Sequence, residues 1–255
     1  MTQSTPASFA SRFALSKTAL LFLVSAVLAS VLYLVPSAAA EKAISLPAAS
    51  QDVLAGVAPA TGPTETVVLA GGCFWGIQAV FQHTQGVLSA ISGYAGGQSA
   101  EADYEKVSRG GSGHAEAVQI VFDPKQVSFS QLLQIYFSVA HDPTQLNRQY
   151  PDTGTQYRSA VFYQNGSQKL VAERYIAQLD AAKVFPSKIV TQVGPFEGFY
   201  PAEKYHQNYA TLHPNASYIA RFDLPKLANL KTMMPALYRE QPVLVQPSSG
   251  DQAPK

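Results

Sequence analysis

The sequence predicts an α+β fold, a mixed sheet with helices packed on it. Three observations predict it. Short apolar runs of strand length alternate with longer stretches of helical period. Hairpin signals between the runs are few, which favours strand–helix alternation over an all-β sandwich. Hydrophobic residues make up 47% of the 255, enough for one packed core and too many for a disordered chain.

The elements follow in order. Residues 66–70 (TVVLA) read as a short buried strand, and Gly71-Gly72 as a turn. Residues 73–82 read as a helix and 87–92 as a strand. A glycine-rich loop over 93–113 holds Tyr94, Tyr104 and Arg109. Residues 115–122 alternate in period two and stop at Asp123-Pro124, the pattern of a strand. Ser128 or Ser130 can cap a helix running to about residue 140. Residues 141–158 form a long polar loop. A strand over 159–163 ends at Asn165-Gly166, and 167–182 reads as an amphipathic helix. A strand over 189–193 and a short helix over 202–209 complete the series.

Outside this domain, residues 41–65 are rich in Ala, Pro, Thr and Gly and read as a linker. The proline-bearing residues 231–255 read as a flexible arm. The catalytic domain is then 66–230. Residues 1–40 contain no Asp or Glu. Arg12 and Lys17 precede an apolar run from residue 19 to 35, and Ala38-Ala39-Ala40 follow. That is the order of a secretory signal peptide cut after Ala40; a retained membrane anchor is the alternative. Either way the positive end stays inside, so the remainder is expected outside the cytoplasm, in the periplasm, free or tethered by residues 19–35. The formal charge of +1 gives no reason to expect a nucleic-acid surface.

Chemistry concentrates in three places. Cys73 is the single cysteine, so no internal disulfide and no cysteine-rich zinc site can form. It stands in Gly-Gly-Cys-Phe-Trp-Gly, where a strand ends and a helix begins. Free amides and the helix dipole at such a place stabilise a thiolate. Phe74 and Trp75 can line an apolar pocket for a small group such as a methyl on sulfur, or can be core residues. Glu116 shares a strand face with Val118, Ile120 and Phe122, an apolar setting that raises a carboxyl pKa and suits a general acid. It can equally lie at the exposed mouth of that strand. The loop over 141–158 offers Asp152, Tyr157 and Arg158 to a polar substrate group, or is a surface loop satisfied by its own turns.

Six separated segments, GGCFWG (71–76), GYAGG (93–97), DYEKVSRGGSGHAEAV (103–118), HDPTQLNRQ (141–149), PDTGTQYRSAVF (151–162) and FYPAEKYHQNY (199–209), resemble the peptide methionine sulfoxide reductase A family in order. The likeness spans roughly residues 66–225. It implies an elaborated ferredoxin-like sandwich and reduction of the S epimer of methionine sulfoxide, peptide-bound or free. By position, Cys73 matches the nucleophile and Glu116 the acid that protonates the sulfoxide oxygen. Phe74 and Trp75 match the walls around the methyl, Tyr104 and Tyr157 the hydroxyls that bond the oxygen, and Asp152 the acidic residue of the same pocket. The resemblance implies no cofactor and no metal.

The chain departs from many relatives at the regeneration step, after sulfur has been reduced. Ser108 stands where some members carry a cysteine, and the region through His213-Pro-Asn-Ala-Ser-Tyr-Ile219 has none. Leu224-Pro-Lys-Leu227 resembles the ending of one-cysteine members. A sulfenic acid on Cys73 must therefore meet an external thiol, such as that of a thioredoxin-like or glutaredoxin-like partner. Oxidised proteins and peptides are the expected substrates, and a monomer the expected state. Tyr150 replaces a common glycine at the rim. The residues alone also leave open a cysteine hydrolase using His114, His141 or His206 as base, and a binding domain with an incidental cysteine.

Overall fold

The computed structural model describes residue 1, residues 42–60 and residues 62–246. The leader expected over 1–40 and the last part of the expected arm lie outside the described residues. In chain order the regular elements are α1 (Gln51–Leu54), β1 (Glu65–Gly71), α2 (Phe74–Gln82), β2 (Val87–Ala95), α3 (Tyr104–Ser108) and β3 (Ala115–Phe122). There follow α4 (Phe129–Ile135), β4 (Arg148–Gln149), β5 (Asp152–Thr153), β6 (Ser159–Tyr163), α5 (Gly166–Ala181), β7 (Gln192–Pro195), β8 (Phe199–Pro201), α6 (Tyr209–Leu212) and α7 (Leu224–Met233).

Six strands form one mixed sheet in the order β7-β6-β1-β3-β2-β8, with helices packed on it. Only β6 and β7 run parallel; the other neighbours are antiparallel. Strand periodicity divides the core. Val67 and Leu69 of β1 and Val118, Ile120 and Phe122 of β3 meet the helices in the main core. The opposite face presents Val68, Ala70, Ala95, Ala115, Ala117, Ala160 and Phe162, with Phe196 and Phe199 packed against them.

Local chemistry accounts for the boundaries. Ser128 begins α4 with a capping box: its hydroxyl accepts the Gln131 amide, and the Gln131 side chain accepts the Ser128 amide. The predicted run to residue 140 is helical, but its last turn, Tyr136–Ala140, widens to a π-helix. Asn165 caps α5. The strand expected from residue 189 starts at Gln192 instead, because Asp180 and Pro143 take the amides of Ile189 and Val190. The short helix expected over 202–209 is interrupted: Asn208 sits at φ 58°, which no helix tolerates. A 3-10 turn (Lys204–His206) precedes the break and α6 follows it.

Two expectations change. The stretch that reads as a linker is docked on the domain. Leu46 and Val53 are buried, Ser50 caps α1, and side chains of Gln134, Arg174 and Tyr175 bind its carbonyls. This extended chain has its polar groups satisfied by distant helices, which leaves no periodicity to read. The arm expected from residue 231 is ordered through the described residues. α7 runs to Met233; the amides of Gln85, Arg239 and Val243 then tie the chain to the far end of α2, and the Val245 amide donates to Asn208 Oδ1.

Candidate active site

β1 runs into the site through Gly71 and Gly72. Gly72 has φ +96°, and a Cβ there would stand 2.5 Å from the Gln149 side chain, so only glycine fits. Gly71 is pressed closely on the His141 ring. Cys73 follows as the N-cap of α2, one residue before the helix proper. The sharp turn leaves its side chain half-buried at the helix mouth.

Glu116 meets that turn from β3. It is 2% exposed, and its Oε2 accepts the amide of Phe74 at 3.0 Å. Cys73 and Glu116 act on each other electrostatically: the carboxyl raises the thiol's pKa, and the thiol draws the carboxyl's down. Burial lifts the Glu116 pKa to about 8, against the pull of the Phe74 amide. The carboxyl is therefore largely protonated near neutral pH, in keeping with its apolar strand face.

The thiol departs from the sequence expectation. A helix N-terminus by itself favours a thiolate. The Trp75 amide does pull that way, but burial first, then Glu116 and Asp223, raise the Cys73 pKa well above its ordinary value. Desolvation and the neighbouring acidic groups thus favour the thiol form against the pull of one end of a nine-residue helix.

An aromatic wall stands beside the sulfur. Trp75 stacks on Tyr209 with centroids 3.9 Å apart and meets Tyr218 edge-on at 6.0 Å. Its indole N–H donates to His206 Nδ1 at 3.2 Å. Phe74 is buried against Tyr94 and His206. Tyr104, the first residue of α3, is placed by Glu203, which accepts both the Tyr104 amide and the Tyr94 hydroxyl. Tyr157 closes the 3-10 turn Thr155–Tyr157, and Asp152 lies on β5. The charges of Cys73 and Glu116 act on both Tyr104 and Tyr157 and help raise their hydroxyl pKa values behind burial. Burial likewise raises Asp152, whose carboxylate accepts the Tyr218 hydroxyl.

The seven residues matched to the family's site thus gather around one helix mouth, whereas Arg158, also offered by the loop, donates to the carbonyls of Thr155 and Gly113. Others arrive unannounced: Tyr209 and Tyr218 on the indole, His206 as acceptor of its N–H, and buried Asp223 with Lys226. Glu203 and Tyr209 lie within a matching segment, but nothing in the sequence assigns them a role, and His206 is offered there only as a hydrolase base. The three histidines of the hydrolase reading have partners elsewhere. His141 bonds the Tyr136 carbonyl and Ser159, His114 the Gln98 carbonyl, and His206 the indole. Burial drives His141 down to about 3, so it stays neutral inside the core.

This arrangement coincides with a family match. A family model described as peptide methionine sulfoxide reductase matches residues 65–235. The chain belongs to the peptide methionine sulfoxide reductase family. It is accordingly an oxidoreductase. Peptide methionine sulfoxide reductase MsrA 2 of Mesorhizobium japonicum is 58% identical over 187 residues, covering 73% of this chain and 96% of that protein. The protein of the same description from Synechocystis is 51% identical over 168 residues, 66% of this chain and 78% of its own length. Among solved structures, reduced Mxr1 of Saccharomyces cerevisiae aligns with a TM-score of 0.56 at 28% identity, covering 64% of this chain and 92% of its own. Methionine sulfoxide reductase A of Corynebacterium diphtheriae aligns with a TM-score of 0.53 at 33% identity, covering 69% and 86%. The family's α+β architecture is the one described above.

Proposed function

We propose that this chain reduces the S epimer of methionine sulfoxide, free or peptide-bound, through attack of Cys73 on sulfur. The observation that carries the reading is the hydrogen bond from the Phe74 amide, the residue after Cys73, to the buried carboxyl of Glu116. One carboxyl, protonated near neutral pH, holds the nucleophile's turn and stands ready to give a proton to a sulfoxide oxygen. Oxygen is a poor leaving group until protonated. Tyr104 and Tyr157 present hydroxyls to it, and Asp152 completes the polar side of the pocket. Phe74 and Trp75 hold the methyl.

The first half-reaction balances as one thiol plus one sulfoxide giving one sulfenic acid plus one thioether. The S–O bond breaks, sulfur of the substrate is reduced, and Cys73 is oxidised to the sulfenic acid. With no second cysteine in the chain, an external thiol attacks next. One thiol forms a mixed disulfide and releases water; a second regenerates Cys73 as a disulfide leaves. A thioredoxin-like or glutaredoxin-like protein supplies such a pair of thiols. The chain acts as a monomer outside the cytoplasm, repairing oxidised proteins after its leader is removed or while tethered by it.

Single-turnover reduction without added thiol tests this reading. One methionine should form per chain from the S epimer and none from the R epimer, and Cys73→Ser should form none. Consumption of the R epimer, or turnover by the serine variant, overturns it.

A further inference from the structure

Cys73 shares its helix with a second buried anion. Asp223 ends the π-helical turn Ile219–Asp223 and leads into α7. Its side chain is wholly enclosed and lies against the first turn of α2. A Cβ built on Gly76 would stand 2.1 Å from Asp223 Oδ1 and 3.0 Å from Lys226 Nζ. Gly76 is the third residue of the helix that Cys73 caps, and glycine there makes room for the carboxylate. Among the described residues, neither oxygen of Asp223 accepts an amide or hydroxyl proton; the compensation is the ammonium of Lys226 at 3.5 Å, itself almost buried.

We propose that Asp223 holds Cys73 in its thiol form at rest, by placing a second negative charge on the helix N-terminus that a thiolate would use. A helix end offers about half a positive charge, and two anions on it compete. The groups facing Cys73 are Glu116 from β3, Asp152 from β5, Asp223 from the π-helical turn, and the hydroxyls of Tyr104, Tyr157 and Tyr218. His206 faces Phe74 and Trp75 instead. Facing Asp223 are Lys226, Asp152, Tyr218, Glu116 and Cys73 itself. Burial brings Asp223 to about 6 and Glu116 to about 8. At neutral pH Glu116 is therefore mostly neutral while Asp223 is charged, and of this pair Asp223 is the anion that opposes the thiolate. A thiol is a poor nucleophile toward oxidants, so the residue stays unspent between substrates.

Asp223 is in this sense a positioning residue, acting through Cys73. The inference rests on Cys73 as the nucleophile. Alkylation needs no substrate, so it fails or succeeds independently of turnover by Cys73→Ser.

The experiment is iodoacetamide alkylation of the full chain between pH 5 and 9, followed by mass, with Cys73 as the sole thiol. Asp223→Asn should alkylate roughly tenfold faster than wild type at pH 7, a shift of about one pKa unit. The two rates should converge below about pH 6, where wild-type Asp223 is itself protonated. Equal or slower alkylation at pH 7 overturns the inference. So does an equal gain at every pH, which would report an opened site. Should Asp223→Asn fail to fold, Asp223→Asn with Lys226→Gln removes both charges together, and the same comparison of pH 7 with pH 5 decides.

Discussion

The carboxyl of Glu116 accepts the amide proton of Phe74 at 3.0 Å, so the acid on β3 and the turn bearing Cys73 are held by one hydrogen bond. Glu116→Gln keeps an acceptor for that amide and cannot deliver a proton. Its single-turnover rate should fall by about two to four orders of magnitude, the usual scale of general acid catalysis. Sulfoxide affinity should change far less. Near wild-type speed at neutral pH would leave Glu116 as packing only.

The same residue sets a pH dependence of stability. Its pKa rises from 4.5 to about 8 on folding, so between those values the folded chain binds more protons than the unfolded one. Stability from this group is fully present below about pH 4.5 and is lost as pH rises through 8, by on the order of a few kcal/mol. Urea midpoints of wild type and Glu116→Gln should therefore diverge from pH 5 to pH 8.5, the variant becoming relatively more stable. Parallel curves would show that the carboxyl titrates normally.

Trp75 is the only tryptophan, so intrinsic fluorescence reports the aromatic wall directly. His206 can accept the indole N–H at Nδ1 only while neutral, and burial lowers its pKa below 6.5. Acid titration should shift the emission with a midpoint under 6.5. His206→Ala should show a shifted emission already at neutral pH and raise KM for sulfoxide roughly fivefold, the loss of one hydrogen bond of about 1 kcal/mol. Emission indifferent to this variant would mean that Tyr209 alone fixes the ring.

Leu46 is 6% exposed although it belongs to a stretch that reads as connecting chain. Leu46→Ala should cost about 2–5 kcal/mol in urea unfolding, the range for a buried leucine. A loss under about 0.5 kcal/mol, the scale of a surface change, would mean the stretch is not docked in solution.

The mature N-terminus should be Glu41, in material recovered outside the cytoplasmic membrane. N-terminal sequencing checks this. A membrane-bound product that retains the residues before Ala19 would favour the tether.

The catalytic face is legible in the sequence because its signals are local. Two glycines before Cys73 announce a turn, and alternation through Glu116 places its carboxyl on an apolar face, where the structure buries it. Residues 41–65 read as a linker because Leu46 and Val53 are anchored by helices more than eighty positions away, and no short window holds both partners. The thiol state escapes the sequence for a related reason. Helix position is visible in a line of text, whereas the approach of Asp223 to Gly76 is a contact between segments 147 residues apart. Tyr218 likewise reaches Asp152 across 66 positions.

The ties between the C-terminal segment and the far end of α2 have a mechanical meaning. Leu237, Arg239, Val243 and Val245 bind the chain around Gln82, His83, Gln85 and Asn208. α2 is thus a short rod with the sulfur of Cys73 at one end and its mooring at the other. Nine residues span about 13 Å, so a tilt of about 5° swings the sulfur by about 1 Å, a misplacement that can cost a reaction about a hundredfold. Through that leverage, a segment at the far end of α2 sets where Cys73 points.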